Sequence, residues 1–208
     1  MRSFGAGLML VVALVVGLAG CQKSGGNAVG DEMSLGDPHA KVTMIEYASV
    51  ACPICAQFNN EVFPAFKKKY IDTGKVHYIA REALTGNLSL AASGFLLARC
   101  AGPDKYFQVT DAVYRAQEQI YEPGTENIRA GAGRQLLVNI AQQFGLNEDQ
   151  FTKCITDETA LKALNDRVDK FSQKDQVRAT PTFLINGTRL EGYETLPQLD
   201  AVIQPMLK

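Results

Sequence analysis

Two short runs rich in β-branched residues, separated by one amphipathic helical segment, constrain the fold of this chain more than any other feature. Residues 41–47 (KVTMIEY) and 75–81 (KVHYIAR) are β-branched and apolar runs of the kind that form strands. The segment between them places Phe58, Val62 and Phe66 on one side, as a helix packed on a sheet does. This order predicts a βαβ unit, with a kink in its helix at Pro64.

The remaining segments predict a helical insertion and then a return to the sheet. Residues 87–174 carry helical periodicity without a convincing strand pattern. Residues 182–185 and 188–191 flank Asn186-Gly187, the strongest short hairpin signal, and residues 196–207 predict a last helix. The predicted fold class is α/β: a thioredoxin-fold domain of residues 41–86 and 175–208, with an all-helical domain of residues 87–174 inserted between the βαβ unit and the C-terminal hairpin and helix.

The N-terminal residues predict export and a lipid anchor. Arg2 followed by the apolar run of residues 8–16 is typical of a signal peptide, predicted over residues 1–20. Leu18-Ala19-Gly20-Cys21 resembles the bacterial lipobox, which predicts acylation of Cys21; the alternative is ordinary cleavage that leaves a spare thiol. Residues 21–40 are mostly polar and without a period, which predicts a flexible tether.

Charge argues against a nucleic-acid partner, and hydropathy argues against a membrane-spanning segment. The formal net charge is −1 at pH 7, so the chain has no basic excess to attract a nucleic acid. The apolar run at residues 8–16 is too short to span a bilayer comfortably. Membrane association is therefore expected through the lipid on Cys21.

Cys52-Pro53-Ile54-Cys55 carries the chemistry because it follows a predicted strand and opens a predicted helix. The positive end of a helix stabilises a thiolate on its first turn, and Pro53 suits that turn because it has no N–H to leave unpaired. A pair of this kind exchanges disulfides without a cofactor. The alternative is a structural zinc site, for which no second pair has the usual spacing. Its further ligands would come from Cys100, Cys154, His39 and His77.

The segments Ile45-Glu46-Tyr47-Ala48-Ser49 and Arg178-Ala179-Thr180-Pro181-Thr182-Phe183, read with the cysteine pair and the helical insert, resemble the DsbA family of bacterial disulfide oxidoreductases over residues 41–207. The resemblance implies that Cys52 exchanges with substrate and that Cys55 is its buried partner. It implies a cis peptide bond before Pro181, facing the disulfide, and substrate contacts at Thr180, Pro181, Pro53 and Ile54. It also implies that Glu46 is a buried acid that relays a proton for Cys55. The alternatives are an ordinary proline at the start of a strand and an ordinary glutamate on an edge strand.

The resemblance further implies a structural disulfide between Cys100 and Cys154, a feature of some members of the family. The alternative is two buried free thiols. Ile54 stands where the best-known pattern has a histidine, so a less depressed pKa is expected for Cys52. Thr180 before the proline is also found in reductases and isomerases of the wider superfamily.

These observations predict a monomeric disulfide oxidase, lipid-anchored on the periplasmic side of the bacterial cell envelope. Its substrates would be reduced or misoxidised exported proteins, and a quinone-linked membrane partner resembling DsbB would reoxidise it. No metal and no cofactor are expected. The alternatives are the same chemistry run as a reductase or isomerase, and a non-catalytic lipoprotein that binds peptides or a metal beside Pro181.

Overall fold

The described residues form one six-stranded sheet with the predicted βαβ unit at its centre. The computed structural model describes residues 1, 27–29, 32–120 and 131–208. The strands are β1 (Asn27–Val29), β2 (Glu32–Leu35), β3 (Val42–Ala48), β4 (Val76–Glu82), β5 (Thr182–Ile185) and β6 (Thr188–Glu191), in the spatial order β1-β2-β4-β3-β5-β6. β3 and β4 are parallel and the other pairs are antiparallel. The predicted strands of the βαβ unit each lie one residue from the observed bounds.

The connection between β3 and β4 is a helix broken near its proline, as predicted. α1 (Pro53–Glu61) ends before Val62, and α2 (Phe63–Phe66) continues into a π-helical turn (Lys67–Ile71). Pro64 has no N–H to continue the hydrogen bonds of α1, so α1 ends before it and a new helix begins at Phe63. The apolar side of this connection packs on the sheet together with α8 (Leu196–Leu207).

The described part of the segment between β4 and β5 consists of helices joined by short loops and contains no strand. Its helices are α3 (Leu88–Cys100), a 3₁₀ turn (Pro103–Lys105), α4 (Tyr106–Ile120), α5 (Gly131–Gln143), α6 (Glu148–Thr156) and α7 (Glu158–Lys174). Asn147 and Gln150 form a capping box at the start of α6. A disulfide joins Cys100 at the end of α3 to Cys154 in α6, with their Cα atoms 5.9 Å apart. The predicted fold class is confirmed.

The predicted tether is wrong where it meets the sheet. Within residues 21–40, Asn27–Val29 and Glu32–Leu35 form a hairpin, and β2 pairs with β4 through Met33↔Ala80 and Leu35↔Tyr78. Met33 and Leu35 are buried, and their contact with the sheet outweighs the polar and glycine-rich composition around them. Predictions for residues 2–26, including the signal peptide and Cys21, lie outside the described residues. Among the described residues, no helix combines the length and apolar character that crossing a bilayer requires.

Candidate active site

Cys52 lies at the N-cap of α1, where the chain is still extended (φ −94°, ψ 118°). Its Sγ accepts a hydrogen bond from the N–H of Cys55 at 3.4 Å, and its own N–H donates to the Ser49 carbonyl at 3.0 Å. Pro53 follows in the first turn, where a missing N–H leaves no donor unpaired. The sulfur therefore caps the end of the helix at which the backbone dipoles are positive.

The two sulfurs of the pair differ in exposure and in pKa. Cys55 is fully buried, whereas Cys52 is 8% exposed. A hydrogen bond from the Cys55 thiol is the largest cause lowering the pKa of Cys52 from 9.0 to about 5; the Thr180 hydroxyl and the N–H groups of Cys55 and Ile54 act in the same direction, against burial. Burial, followed by the hydrogen bond to Cys52, raises the pKa of Cys55. At neutral pH Cys52 is a thiolate and Cys55 a thiol.

Ile54 offers only its backbone to the thiolate, so the low pKa of Cys52 does not depend on a histidine in the motif. Its side chain is 44% exposed and points no polar group at the sulfur, but its backbone N–H donates to Cys52. Stabilisation of the thiolate therefore comes from main-chain donors and neighbouring side chains. Pro53 is exposed as well, so the two residues between the cysteines give an apolar surface beside Cys52.

Thr180 and Pro181 face the cysteine pair from the start of β5. The peptide bond between them is cis, and the Thr180 carbonyl O lies 3.5 Å from Cys52 Sγ. The Thr180 hydroxyl lies 2.7 Å from the Thr85 hydroxyl. Of the four predicted substrate contacts, Pro53 and Ile54 are exposed, Thr180 is partly buried and Pro181 is buried.

Glu46 lies on β3, which is flanked by β4 and β5, so it is not on an edge strand. The residue is only 4% exposed, and the Tyr78 hydroxyl donates to Glu46 Oε2 at 2.6 Å. Burial is the largest cause raising the pKa of Glu46 from 4.5 to about 7; the hydrogen bond from Tyr78 lowers it, and the charge on Cys52 raises it. The charge of Glu46 in turn contributes to the raised pKa of Cys55, so the two groups are electrostatically coupled.

The zinc alternative loses two of its ligands in this structure. Cys100 and Cys154 are bonded to each other, and the described residues contain no group of three His, Cys, Asp or Glu side chains placed to hold a metal ion. Cys52 and Cys55 are left as a pair of free thiols. The chemistry available to such a pair is exchange with another sulfur.

Two residues that sequence patterns did not single out also contribute to this site, one from the insert and one from the loop after β4. Gln117 of α4 is 3% exposed, and its Nε2 donates to the carbonyl oxygens of Val50 at 2.7 Å and Cys52 at 3.2 Å. Gly86 has φ +75°, and a Cβ there would lie 2.4 Å from the Ala51 carbonyl oxygen. A glycine after a predicted strand was the available signal for Gly86; Gln117 sits in the helical pattern with nothing to distinguish it.

Comparison with known proteins agrees with this geometry. A family model described as thioredoxin matches residues 28–205. A putative protein-disulfide oxidoreductase of Rickettsia bellii is 31% identical over 163 residues, covering 78% of this chain and 60% of that protein. Disulfide bond formation protein D of Bacillus subtilis is 25% identical over 187 residues, covering 89% of this chain and 81% of that protein. The crystal structure of Wolbachia pipientis α-DsbA1 superimposes with a TM-score of 0.76 at 30% identity, covering 86% of this chain and 92% of that one.

The chain therefore belongs to the thioredoxin family, among its DsbA-like members. It spans less than two thirds of the length of the Rickettsia relative.

Proposed function

We propose that the protein is a thiol–disulfide oxidoreductase that introduces disulfides into exported proteins through Cys52 and Cys55. One observation carries this proposal: the pKa of Cys52 is lowered to about 5 while that of the adjacent, buried Cys55 is raised. A stabilised thiolate favours the reduced pair over its disulfide, so the disulfide readily oxidises other thiols. The arrangement also decides which sulfur reacts, because Cys55 has no exposed surface.

The catalytic cycle follows from that asymmetry. A substrate thiolate attacks Cys52 Sγ in the oxidised pair, the Cys52–Cys55 bond breaks, and Cys55 leaves with the electron pair and takes up a proton. A second substrate thiolate then attacks the substrate sulfur of the mixed disulfide. Cys52 leaves as a stabilised thiolate, the substrate is oxidised and the enzyme is reduced by two electrons.

Glu46 and Thr180 have separate tasks in this cycle. Protonated Glu46 supplies the proton that the departing Cys55 thiolate needs, and a pKa near 7 lets it both donate and accept near neutral pH. The backbone of Thr180 and the exposed surface of Ile54 lie on either side of Cys52, where an extended substrate segment would bind. Pro181 holds Thr180 in place and presents no N–H beside the sulfurs.

The names of the relatives support thiol–disulfide chemistry, and one of them supports the oxidative direction. The Bacillus subtilis relative is named for disulfide bond formation and the Rickettsia bellii relative as a putative protein-disulfide oxidoreductase. We further propose that the protein acts as a monomer on the periplasmic side of the envelope, anchored through a lipid on Cys21, and that a DsbB-like membrane protein reoxidises it.

The test is to mix the oxidised protein with a reduced peptide that contains two cysteines and to follow disulfide formation in the peptide. One peptide should be oxidised for each Cys52–Cys55 disulfide consumed. Cys52→Ala should be inactive. Cys55→Ala treated with oxidised glutathione should form a mixed disulfide on Cys52, with release of one glutathione thiolate, and this adduct should persist because no Cys55 thiol is present to displace it. A Cys52→Ala protein that still oxidises the peptide would refute the assignment.

Equilibration with glutathione separates the oxidase from the alternative direction. A reduction potential near that of thioredoxin, about −270 mV, would indicate a reductase, and a value nearer that of DsbA, about −120 mV, an oxidase. Peptide binding that survives Cys52→Ala with no redox reaction in the wild type would instead indicate a binding protein.

A further inference from the structure

A cavity of about 270 Å³ lies between the sheet, the start of α2 and α4. Glu46 and Tyr78 form part of its wall, and the exposed residues Pro64 and Gln108 also line it, so it communicates with solvent. None of residues 52–55, all of which the structure describes, lines the cavity. A substrate bound over Cys52 would therefore leave the cavity open.

Tyr78 is the residue that fixes the Glu46 carboxyl group at this cavity. Its hydroxyl donates to Glu46 Oε2 at 2.6 Å, and the side chain is 6% exposed. On β4, Tyr78 is the register partner of Met44, two residues before Glu46 on β3, so both side chains lie on the same face of the sheet. Burial raises the pKa of Tyr78 well above 10.0, which keeps the hydroxyl a donor across the working pH range.

We propose that Tyr78 is a positioning residue for the thiol–disulfide reaction: it holds the Glu46 carboxylate at the cavity wall, where Glu46 exchanges the Cys55 proton with solvent while substrate covers Cys52. The inference rests on the proposed function, because it requires Cys55 to lose and regain a proton in each cycle. Nothing in the sequence pattern of β4 distinguishes Tyr78 from a packing residue.

Other ionisable groups surround Glu46 without bonding to its carboxyl group. Those that interact with it electrostatically are Cys52 at the N-cap of α1, Cys55 of α1 and Tyr114 of α4. Further charged or ionisable residues lining the cavity are Lys67, Arg81, Tyr106 and Asp111. Arg81 bonds to Glu32, Tyr47 and Asp175, and Lys67 pairs with Asp72, so neither cation competes with Tyr78 for Glu46.

Oxidation of the reduced protein by oxidised glutathione resolves the step that uses Glu46. In a first phase the Cys52 thiolate attacks the glutathione disulfide, forming a mixed disulfide and releasing one glutathione thiolate. In a second phase Cys55 gives its proton to Glu46 and attacks Cys52 Sγ, and the second glutathione leaves as a thiolate. Two electrons pass from the cysteine pair to glutathione, and stopped-flow mixing separates the phases.

Tyr78→Phe should move the pH dependence of the second phase and leave the first phase unchanged. In the wild type the second-phase rate should rise with pH through the pKa of Glu46, about 7. This rising part of the pH profile is called the limb below. Loss of one hydrogen bond to a charged group should move the limb about one pH unit toward alkaline pH. The second phase of Tyr78→Phe should then be about fivefold slower than that of the wild type at pH 7 and equally fast under alkaline conditions.

Tyr106→Phe is the matched control, because it also removes a buried hydroxyl from the wall of this cavity. The Tyr106 hydroxyl donates to Glu82 and not to Glu46. Its second-phase limb should stay near the wild-type position. The inference is overturned if Tyr78→Phe does not move the limb, or if Tyr106→Phe moves it as far. Absence of the first phase in the wild type would instead overturn the proposed function.

Two further measurements complete the test. If Tyr78→Phe does not fold, Glu46→Gln replaces it: the limb near pH 7 should disappear, and a limb that persists overturns the role of Glu46. Repeating the wild-type titration with a long disulfide-bonded peptide should leave the limb in place, because the cavity remains open. A limb lost with the peptide would show that the proton leaves past Cys52 and would overturn the cavity route.

Discussion

Thr180→Val tests whether a side-chain hydroxyl contributes to the reactivity of Cys52. Valine has nearly the shape of threonine, so the substitution removes the hydroxyl and leaves the carbonyl that lies 3.5 Å from Cys52 Sγ. The hydroxyl is one of the groups that lower the pKa of Cys52 to about 5. A hydrogen bond to a charged acceptor contributes about 1.5–3 kcal/mol, and sulfur is a weak acceptor, so the low end of that range applies.

A loss of about 1.4 kcal/mol raises the pKa of Cys52 by about one unit. The reduced pair is then less stabilised at pH 7, and the same free energy lowers the two-electron reduction potential by about 30 mV. Thr180→Val should therefore be a weaker oxidant than the wild type. The pKa is measured from the ultraviolet absorbance of the thiolate as pH is raised, and the potential by equilibration with glutathione.

Two variants control for changes in backbone position. Thr180→Ser retains the hydroxyl and should restore the wild-type pKa. Thr85→Val removes the neighbouring hydroxyl, 2.7 Å from that of Thr180, and should have a smaller effect because it acts through Thr180. An unchanged Cys52 pKa in Thr180→Val would show that the Thr180 hydroxyl does not stabilise the thiolate, and an equal rise in Thr180→Ser would assign the effect to a displaced backbone.

Three further predictions concern stability. Replacing Cys100 and Cys154 together with alanine opens a loop of 54 residues and should lower the free energy of unfolding by about 4 kcal/mol without changing the Cys52 pKa; an unchanged midpoint in urea would contradict this. Gln117→Leu should destabilise the protein by about 1–3 kcal/mol because the buried Val50 carbonyl loses its donor, whereas Gln119→Leu, on the exposed side of the same helix, should have little effect. In the oxidised protein Cys52 carries no charge, but burial, the largest cause, still raises the pKa of Glu46 above 4.5. The resulting stability is full below pH 4.5 and is lost as pH rises through the raised pKa, by up to about 3 kcal/mol. Glu46→Gln should lack that decline when unfolding is measured across this range, and equal slopes in the two proteins would be inconsistent with a buried, titrating Glu46.

Local sequence patterns correctly predicted the C-terminal hairpin and the start of α1, because a few adjacent residues decide both. Asn186 and Gly187 take φ values of +46° and +90°, as the turn signal requires, and the flanking strands have the predicted bounds. Cys52 precedes a proline at the start of a helix, so both its N-cap position and the benefit to its thiolate follow from a few adjacent residues.

Long-range contacts decided what the patterns missed. β2 forms because Met33 and Leu35 pair with β4, which lies more than forty residues further along the chain. The four residues of β2 are too few to show a hydrophobic period. The role of Tyr78 likewise depends on a hydrogen bond across 32 residues, and that of Gln117 on bonds across 65 and 67 residues. Burial of Glu46 follows from the position of β3 inside the sheet, which no local pattern specifies.

The insert is energetically part of the active-site domain, although a thioredoxin fold can be traced without it. Glu82, at the end of β4, has its side chain 3% exposed, and its carboxylate accepts hydrogen bonds from Arg99, Tyr106 and Arg167, all on inserted helices. Removing these donors would leave a buried carboxylate unpaired, at a cost of about 3–5 kcal/mol. Gln117, also in the insert, supplies the donor for the loop that carries Cys52. The thioredoxin-fold domain carries the cysteine pair, whereas the inserted helices bond to the loop before Cys52 and to the buried Glu82 carboxylate. A chain shortened to residues 41–86 and 175–208 would therefore retain Cys52 and Cys55 but lose these contacts.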